Sequence, residues 1–373
     1  MKLIAQVKLQ PTEEQAQSLK ETLERANSAA NFVSDIAWQH QTFSQYDLHK
    51  IAYYDVRAKF DLSAQMTVRI IAKVADAYKL DKKTKRTFNL LGSIAYDDRI
   101  MSWKIEKQIV SLWTLAGRIK LSFAAGIRQL EMLKNRQGEA DLVYRNGEFF
   151  LYQTCDVNEP PVGDIDGFLG VDMGIANIAV DSTGEVYQGK TVKAIRHRHR
   201  KLRAKLQAKG TKSSRRRLKK LAGKERRFAT HTNHNVSKRI VEKAKDTGQG
   251  IAIEELGGIR DRITARRPQR ATLHSWAFSQ LRVFLEYKGK LAGIPVVAVD
   301  PRNTSRLCLC CGHIDKANRK SQSVFLCTSC GFSGLADLVA ARNISRRANV
   351  NLPNVSTMDV NFYPQRQGQS QLL

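Results

Sequence analysis

The chain has 373 residues, of which 42% are hydrophobic and 8% aromatic, enough to bury a core in two or three domains and unlike a disordered basic tail. Sixty-two Lys and Arg against 35 Asp and Glu leave a net charge of +27, which makes a polyanion the natural partner, a basic ribosomal-type protein being the plain alternative. No apolar run reaches the roughly 18–20 residues of a membrane span, and the start "MKLIAQVKLQ" lacks the apolar block of a signal peptide, so a cytoplasmic chain with no membrane partner is expected.

Residues 2–9 alternate, with Leu3, Ala5, Val7 and Leu9 on one side, and read as a strand. Thr12 and Gln15 after Pro11 fit a capping box that opens a helix. From there to about Gln137 the pattern reads as mostly helical: Leu19, Leu23, Ala26, Ala30 and Val33 recur at three and four, as do apolar residues between Ile105 and Leu130. "LVYRNGEFFLY" is a β-hairpin turning at Asn146-Gly147, where positive φ is needed. "NEPPVGD", residues 158–164, is the best domain boundary in the chain.

Beyond it the texture is α/β. "GFLGVDMG", "IANIAVD" and "EVYQ" read as three strands of a meander. Residues Lys190 to Arg227 hold eighteen Lys and Arg and one acid, Glu225, a density that suggests a phosphate-facing helical element broken near "KGTKSS". Arg215, Arg216 and Arg217 are its candidate nucleic-acid contacts. "HNVSKRIVEKAKDTG" then reads as a helix, "GIAIEEL" as a strand, "SWAFSQLRVFLEYKGKLAG" as a helix and "IPVVAVD" as a strand. A cysteine module follows, then the helix "ADLVAARNISRRA", and a polar tail from Asn349 that is expected to be disordered.

The cysteine module pairs Cys308 with Cys311 and Cys327 with Cys330, with fifteen residues between the pairs. Two thiolates three apart bend round one ion, and two such knuckles complete the tetrahedral shell that structural Zn2+ prefers; disulfides are the alternative, disfavoured in a cytoplasmic chain. Gly312 and Gly331 follow the second cysteine of each pair, where the tight turn wants no side chain. Cys310 is a spare thiol inside the first knuckle, and Cys155 reads as a buried core thiol.

Three carboxylates complete the picture. Asp172 is embedded in an apolar strand, where an ionised side chain is costly without a cation or partner. Glu254 ends a later apolar run, and Asp337 opens the last helix. Singly these have bland readings: a turn former, a solvated strand end, a helix N-cap. Together they form the pattern of an RNase H type of fold, whose acids hold two Mg2+ ions roughly 3.5–4 Å apart. The bulk charge would hold nucleic acid, and the metals would screen the acids from it.

"GVDMGI", "IAIEEL", "DPRNTSRLCLCCGH", "CTSCG" and "ADLVAARNI", in that order across roughly residues 165–345, resemble the TnpB family, RNA-guided nucleases encoded by insertion sequences and related to type V CRISPR effectors. The resemblance implies an α/β, RNase H-like (RuvC) nuclease domain with an inserted zinc ribbon, preceded by a mainly helical recognition domain and a small β wedge domain. The boundaries it implies are a first wedge strand at 1–10, recognition at 11–118, wedge at 119–163, nuclease at 164–301, zinc ribbon at 302–335, closing helix at 336–348 and a tail at 349–373. Asp172, Glu254 and Asp337 match the catalytic acids, Glu255 being the alternative to Glu254, and the four cysteines match the zinc module. Val339 stands where the family often has Asn, in a position that supports the last acid. Arg306, two residues before Cys308, is a candidate to hold the scissile phosphate.

Implied as cofactors are two Mg2+, one structural Zn2+ and a guide RNA derived from the element's end. Implied as partners are target double-stranded DNA and its displaced single strand, with self-association left open. The implied setting is the cytoplasm of a bacterium, at the nucleoid. The expected function is guide-directed DNA cleavage beside a short motif. A non-cleaving RNA-guided repressor, or a zinc-ribbon nucleic-acid-binding protein without catalysis, are the alternatives.

Overall fold

The computed structural model describes residues 1–174, 177–255 and 278–351, and the chain divides into two units, Met1–Asn158 and Glu159–Leu373. The division falls at the first residue of "NEPPVGD", where the sequence places it.

In the first unit, β1 (Lys2–Gln10) is followed by three helices, α1 (Glu13–Gln39), α2 (Gln45–Phe60) and α3 (Ala64–Leu80). The capping box is formed: Thr12 accepts from Gln15 N, and the Gln15 side chain accepts from Thr12 N. Leu19, Leu23, Ala26, Ala30 and Val33 are buried, as their spacing predicts.

The expected helical run to Gln137 does not extend past Leu80. Residues 94–124 instead form β2 (Ile94–Tyr96), β3 (Met101–Lys104), β4 (Ile109–Thr114) and β5 (Gly117–Ala124). Ile105, Ile109 and Leu112 do follow at four and three, but "IVSLWT" buries alternate residues and carries the β-branched and aromatic content of a strand. Pairing of Thr114 with Gly117, at φ 98°, closes the β4–β5 hairpin. After a short α4 (Ile127–Lys134), β6 (Arg136–Arg145) and β7 (Glu148–Asp156) pair across Asn146 and Gly147, both at positive φ. These strands make one seven-stranded antiparallel sheet, in the order β2-β6-β7-β1-β5-β4-β3. The expected helical stretch 11–118 is therefore helical only to Leu80, and the sheet begins well before residue 119.

In the second unit, β8 (Phe168–Asp172), β9 (Ala179–Asp181) and β10 (Val186–Tyr187) form the antiparallel meander expected, and β11 (Gly250–Glu254) and β12 (Val296–Val299) add in parallel on the other side. The order β10-β9-β8-β11-β12 is that of an RNase H-type sheet. The basic segment is α5 (Lys190–Lys209), a break at Gly210, and α6 (Lys212–Asp246). The helix expected from residue 234 is the second half of α6.

One face of the sheet packs on α6 and α7 (Phe278–Ala292) through Leu169, Val171, Ile251, Ile253, Ile240 and Leu285. The other packs on α8 (Ala336–Asn351) through Phe168, Ala252, Ile344 and Ala348. A Cβ on Gly170 would overlap Ala341 O and sit 2.6 Å from Ser345 N, so β8 and α8 meet backbone to backbone. β13 (Val324–Leu326) and β14 (Ser333–Leu335) pair within the cysteine module. The tail expected to be disordered is helical to Asn351, and residues 352–373 lie outside the described residues.

Candidate active site and zinc centre

Strand parity decides which acids meet. Side chains alternate between the faces of a sheet, so Asp172 shares the α8 face with Phe168 and Gly170, and Glu254 shares it with Ala252. Their strands are neighbours in parallel register, Ile253 lying beside Val171, so the two acids leave adjacent strand ends on one face. Asp337 lies in the first turn of α8, the helix packed on that face.

Asp172 senses the other two carboxylates. Burial, and then the charges of Glu254 and Asp337, push the Asp172 pKa up to about 8 against an opposing pull from Arg319. Burial raises Glu254 as well, offset by its hydrogen bond from Thr304 and by Arg347 and Arg319. Burial that disfavours the charged forms of Asp172 and Glu254, with carboxylate repulsion added at Asp172, is a cost that a divalent cation on these oxygen ligands would relieve.

Glu255 points to the opposite face, where Arg282 of α7 donates to it at 2.6 Å. The parity that brings Glu254 in turns Glu255 away.

Two residues not singled out in the sequence stand at this centre. Asn177 Nδ2 donates to Asp337 Oδ2 at 3.1 Å. Its sequence signal is slight, an amide inside the apolar run "IANIAV". Arg319 Nη2 lies 3.5 Å from Asp337 Oδ1 and reaches it from between the two cysteine knuckles, where nothing in the sequence marks it. Arg306 is exposed, and its main-chain carbonyl accepts from the buried Asn318. Val339 is 2% exposed and packs with Cys308, Phe325, Cys327 and Ala336. It ties α8 to the cysteine module, and the hydrogen bond to Asp337 comes from Asn177 across the chain.

The Sγ atoms of Cys308, Cys311, Cys327 and Cys330 lie within 4.8 Å of one another. Two of the separations, Cys308–Cys330 and Cys311–Cys327, are 3.6 Å, close to the ~3.8 Å edge of a tetrahedron with ~2.3 Å Zn–S bonds. Both knuckles turn alike: Gly312 N donates to Cys308 O and Gly331 N to Cys327 O, at φ 73° and 74°. Hydrogen bonds from the Cys330 and Ser329 amides to the Cys327 sulfur favour its thiolate, the form a metal needs. The donor set fits zinc. Cys310 is exposed beside it, and Cys155 is a buried thiol of the first unit.

The α5–α6 hairpin displays the basic segment. Glu225, the one acid between Lys190 and Arg227, accepts from Arg203 and lies 3.5 Å from His199 Nδ1, pinning the two helices together. Arg215, Arg216 and Arg217 are exposed on the first turns of α6.

Residues 152–257 match the OrfB/IS605 family model, described as "Probable transposase", and residues 278–344 match the Cas12f1-like TNB domain. A CRISPR-associated endodeoxyribonuclease Cas12f1 from Sulfoacidibacillus thermotolerans is 39% identical over 139 residues, 37% of this chain and 30% of the relative. A TnpB-like protein of Methanocaldococcus jannaschii is 32% identical over 132 residues, 35% of this chain and 47% of the relative. The chain thus spans less than half the length of these curated relatives. A solved Cas12f1–sgRNA–target DNA complex matches 90% of this chain and 83% of that one at TM-score 0.60 and 17% identity, a likeness of fold. The mini-RNA-guided endonuclease CRISPR-Cas phi3 matches 93% and 92% at TM-score 0.55 and 10% identity. Both family models fall on the part of the chain that carries the carboxylates and the cysteines, and it is over that part that the chain is similar to the TnpB-like and Cas12f1 proteins.

Proposed function

We propose that this chain is an RNA-guided, Mg2+-dependent DNA endonuclease of an insertion sequence. What supports the reading is that Asp172 and Glu254 end neighbouring strands on the face covered by the helix that carries Asp337, and that the charges of Glu254 and Asp337 reach the buried Asp172. Asp172, Glu254 and Asp337 hold two Mg2+ ions, which when bound supply Lewis acidity to a phosphodiester and its attacking water. Asn177 holds the Asp337 carboxylate in place. Arg319 occupies the acids' field without metal and is at hand for a phosphate oxygen.

One Zn2+ in the Cys308, Cys311, Cys327 and Cys330 shell fixes the ribbon that presents Arg319. The first unit supplies a recognition region in α1–α3 and a wedge in the seven-stranded sheet, and the α5–α6 hairpin meets nucleic-acid backbone. Partners are a guide RNA from the element's end, the complementary target DNA and its displaced strand, with sequence choice left to base pairing. The setting is the bacterial cytoplasm, at the nucleoid; among the described residues no helix is long and apolar enough to cross a membrane.

The test is cleavage of plasmid DNA carrying a guide-complementary site, by protein co-expressed with its element's end. Wild type is expected to cut with Mg2+ and not with EDTA. Glu254→Ala should fall by at least about a thousandfold while still binding target, and Glu255→Ala should keep most activity, since a surface ion pair is worth about 1 kcal/mol or less. Guide-directed binding without cutting would make the chain a repressor. Products joined to a second DNA would make it a transposase.

A further inference from the structure

Glu254 has a neighbour that its role as a ligand does not by itself require. Thr304 Oγ1 lies 2.5 Å from Glu254 Oε1, and Thr304 is 2% exposed. A hydroxyl facing an anion donates to it, so the longer 3.0 Å approach to Pro301 O is the weaker of the two. Such a bond fixes the rotation of the carboxylate, which ligation would otherwise have to freeze.

Thr304 is in turn placed from α8. Asn343 Nδ2 donates to Thr304 O and to Leu307 O, both at 2.8 Å. Further along the helix, Arg347 Nη1 donates to Asp300 O and Arg302 O, and Arg346 Nη1 to Leu309 O. The helix thus laces down the whole segment that leaves β12 and enters the first cysteine knuckle. The same helix carries Asp337 in its first turn. Two acids on separate elements are therefore indexed to one helix, Asp337 directly and Glu254 through Asn343 and Thr304.

We infer that Thr304 is a positioning residue for Glu254, set in place by Asn343, so that α8 and the segment entering the zinc ribbon together preset the divalent-cation affinity of the carboxylate centre. The inference rests on the metal-binding reading of the three acids and is independent of any guide RNA.

The full chain, stripped of nucleic acid, is titrated with Mn2+ and free Mn2+ is read by electron paramagnetic resonance. Thr304→Val, which keeps the shape and removes the donor, is expected to weaken Mn2+ binding about tenfold or more. Thr304→Ser, which keeps the donor, should stay within about twofold of wild type. All three proteins should hold the same zinc and melt within a few degrees of one another. Thr304→Ala replaces the valine variant if that one fails to fold. Equal Mn2+ affinity in wild type and the donor-less variant overturns this inference alone, as does a folded serine variant that fails to recover it. A wild-type chain that takes up no Mn2+ overturns the metal reading, and this inference with it.

Discussion

Asp172 concentrates the electrostatic cost of the site. Its pKa is raised from 3.8 to about 8 by burial and by the charges of Glu254 and Asp337. The folded-state value lies above the unfolded one, so this group's contribution to stability is full below about pH 4 and is lost as pH rises through about 8. At neutral pH the metal-free fold is therefore held under strain that a cation, or removal of the charge, would relieve. Asp172→Asn should raise the melting temperature of metal-free protein at pH 7.5, by roughly 2–4 °C for each kcal/mol relieved. It should also abolish both the Mg2+-dependent rise in melting temperature and cleavage. Thermal unfolding with and without Mg2+, at pH 5 and pH 7.5, reads all of this except cleavage, and the difference between variants should shrink at pH 5. A variant no more stable than wild type at pH 7.5 would show that Asp172 is not the strained acid.

At the scale of elements, the acid-bearing strand is pressed against its helix at Gly170. The atoms a Cβ would meet there are main-chain Ala341 O and Ser345 N, which cannot swing aside, and Ser345 Oγ also donates to Phe168 O at 2.6 Å. Gly170→Ala should cost about 3 kcal/mol or more by overpacking and part Asp172 from Asp337. Gly223→Ala, mid-helix in α6 and 3.4 Å from only the tip of Arg227, should instead stabilise by about 1 kcal/mol. Urea unfolding of both variants checks the contrast, and equal effects would mean that β8 and α8 do not meet as described.

Elements with local causes were legible in the sequence: the Thr12–Gln15 cap, the Asn146-Gly147 turn, the glycine knuckles and the break at Gly210. β2 to β5 were not, because their pairing is non-local and Ile105, Ile109 and Leu112 imitate helical spacing. Among the candidate site residues, Asp172 and Glu254 showed as charges in apolar strands, Asp337 as an acid opening a helix, and the cysteines by their spacing. Asn177, Thr304 and Arg319 did not, since a hydrogen bond between residues 50 or 160 apart leaves no periodic trace. Parity along β11 could have separated Glu254 from Glu255, given only that Ala252 faces the closing helix.

Over the whole molecule, charge is divided by task. Of the net +27, the segment Lys190 to Arg227 contributes 18 − 1 = +17, and the acids of the candidate centre lie on other elements. Glu225, the one acid between Lys190 and Arg227, holds the two helices of the α5–α6 hairpin together, so Arg215, Arg216 and Arg217 face solvent without an acid nearby in sequence. Such a surface meets phosphates in any sequence, since backbone contacts position a duplex and base contacts specify it. Replacing all three arginines with glutamine keeps helix propensity and removes three charges. Binding should weaken about equally for every guide and target, and the slope of log affinity against log salt should flatten by roughly 0.7–0.9 for each phosphate that is no longer neutralised. The carboxylate centre is untouched, so saturating nucleic acid at low salt should restore most of the cleavage. A salt slope equal to wild type would leave these arginines to solvent, and a changed sequence preference would mean that they read bases.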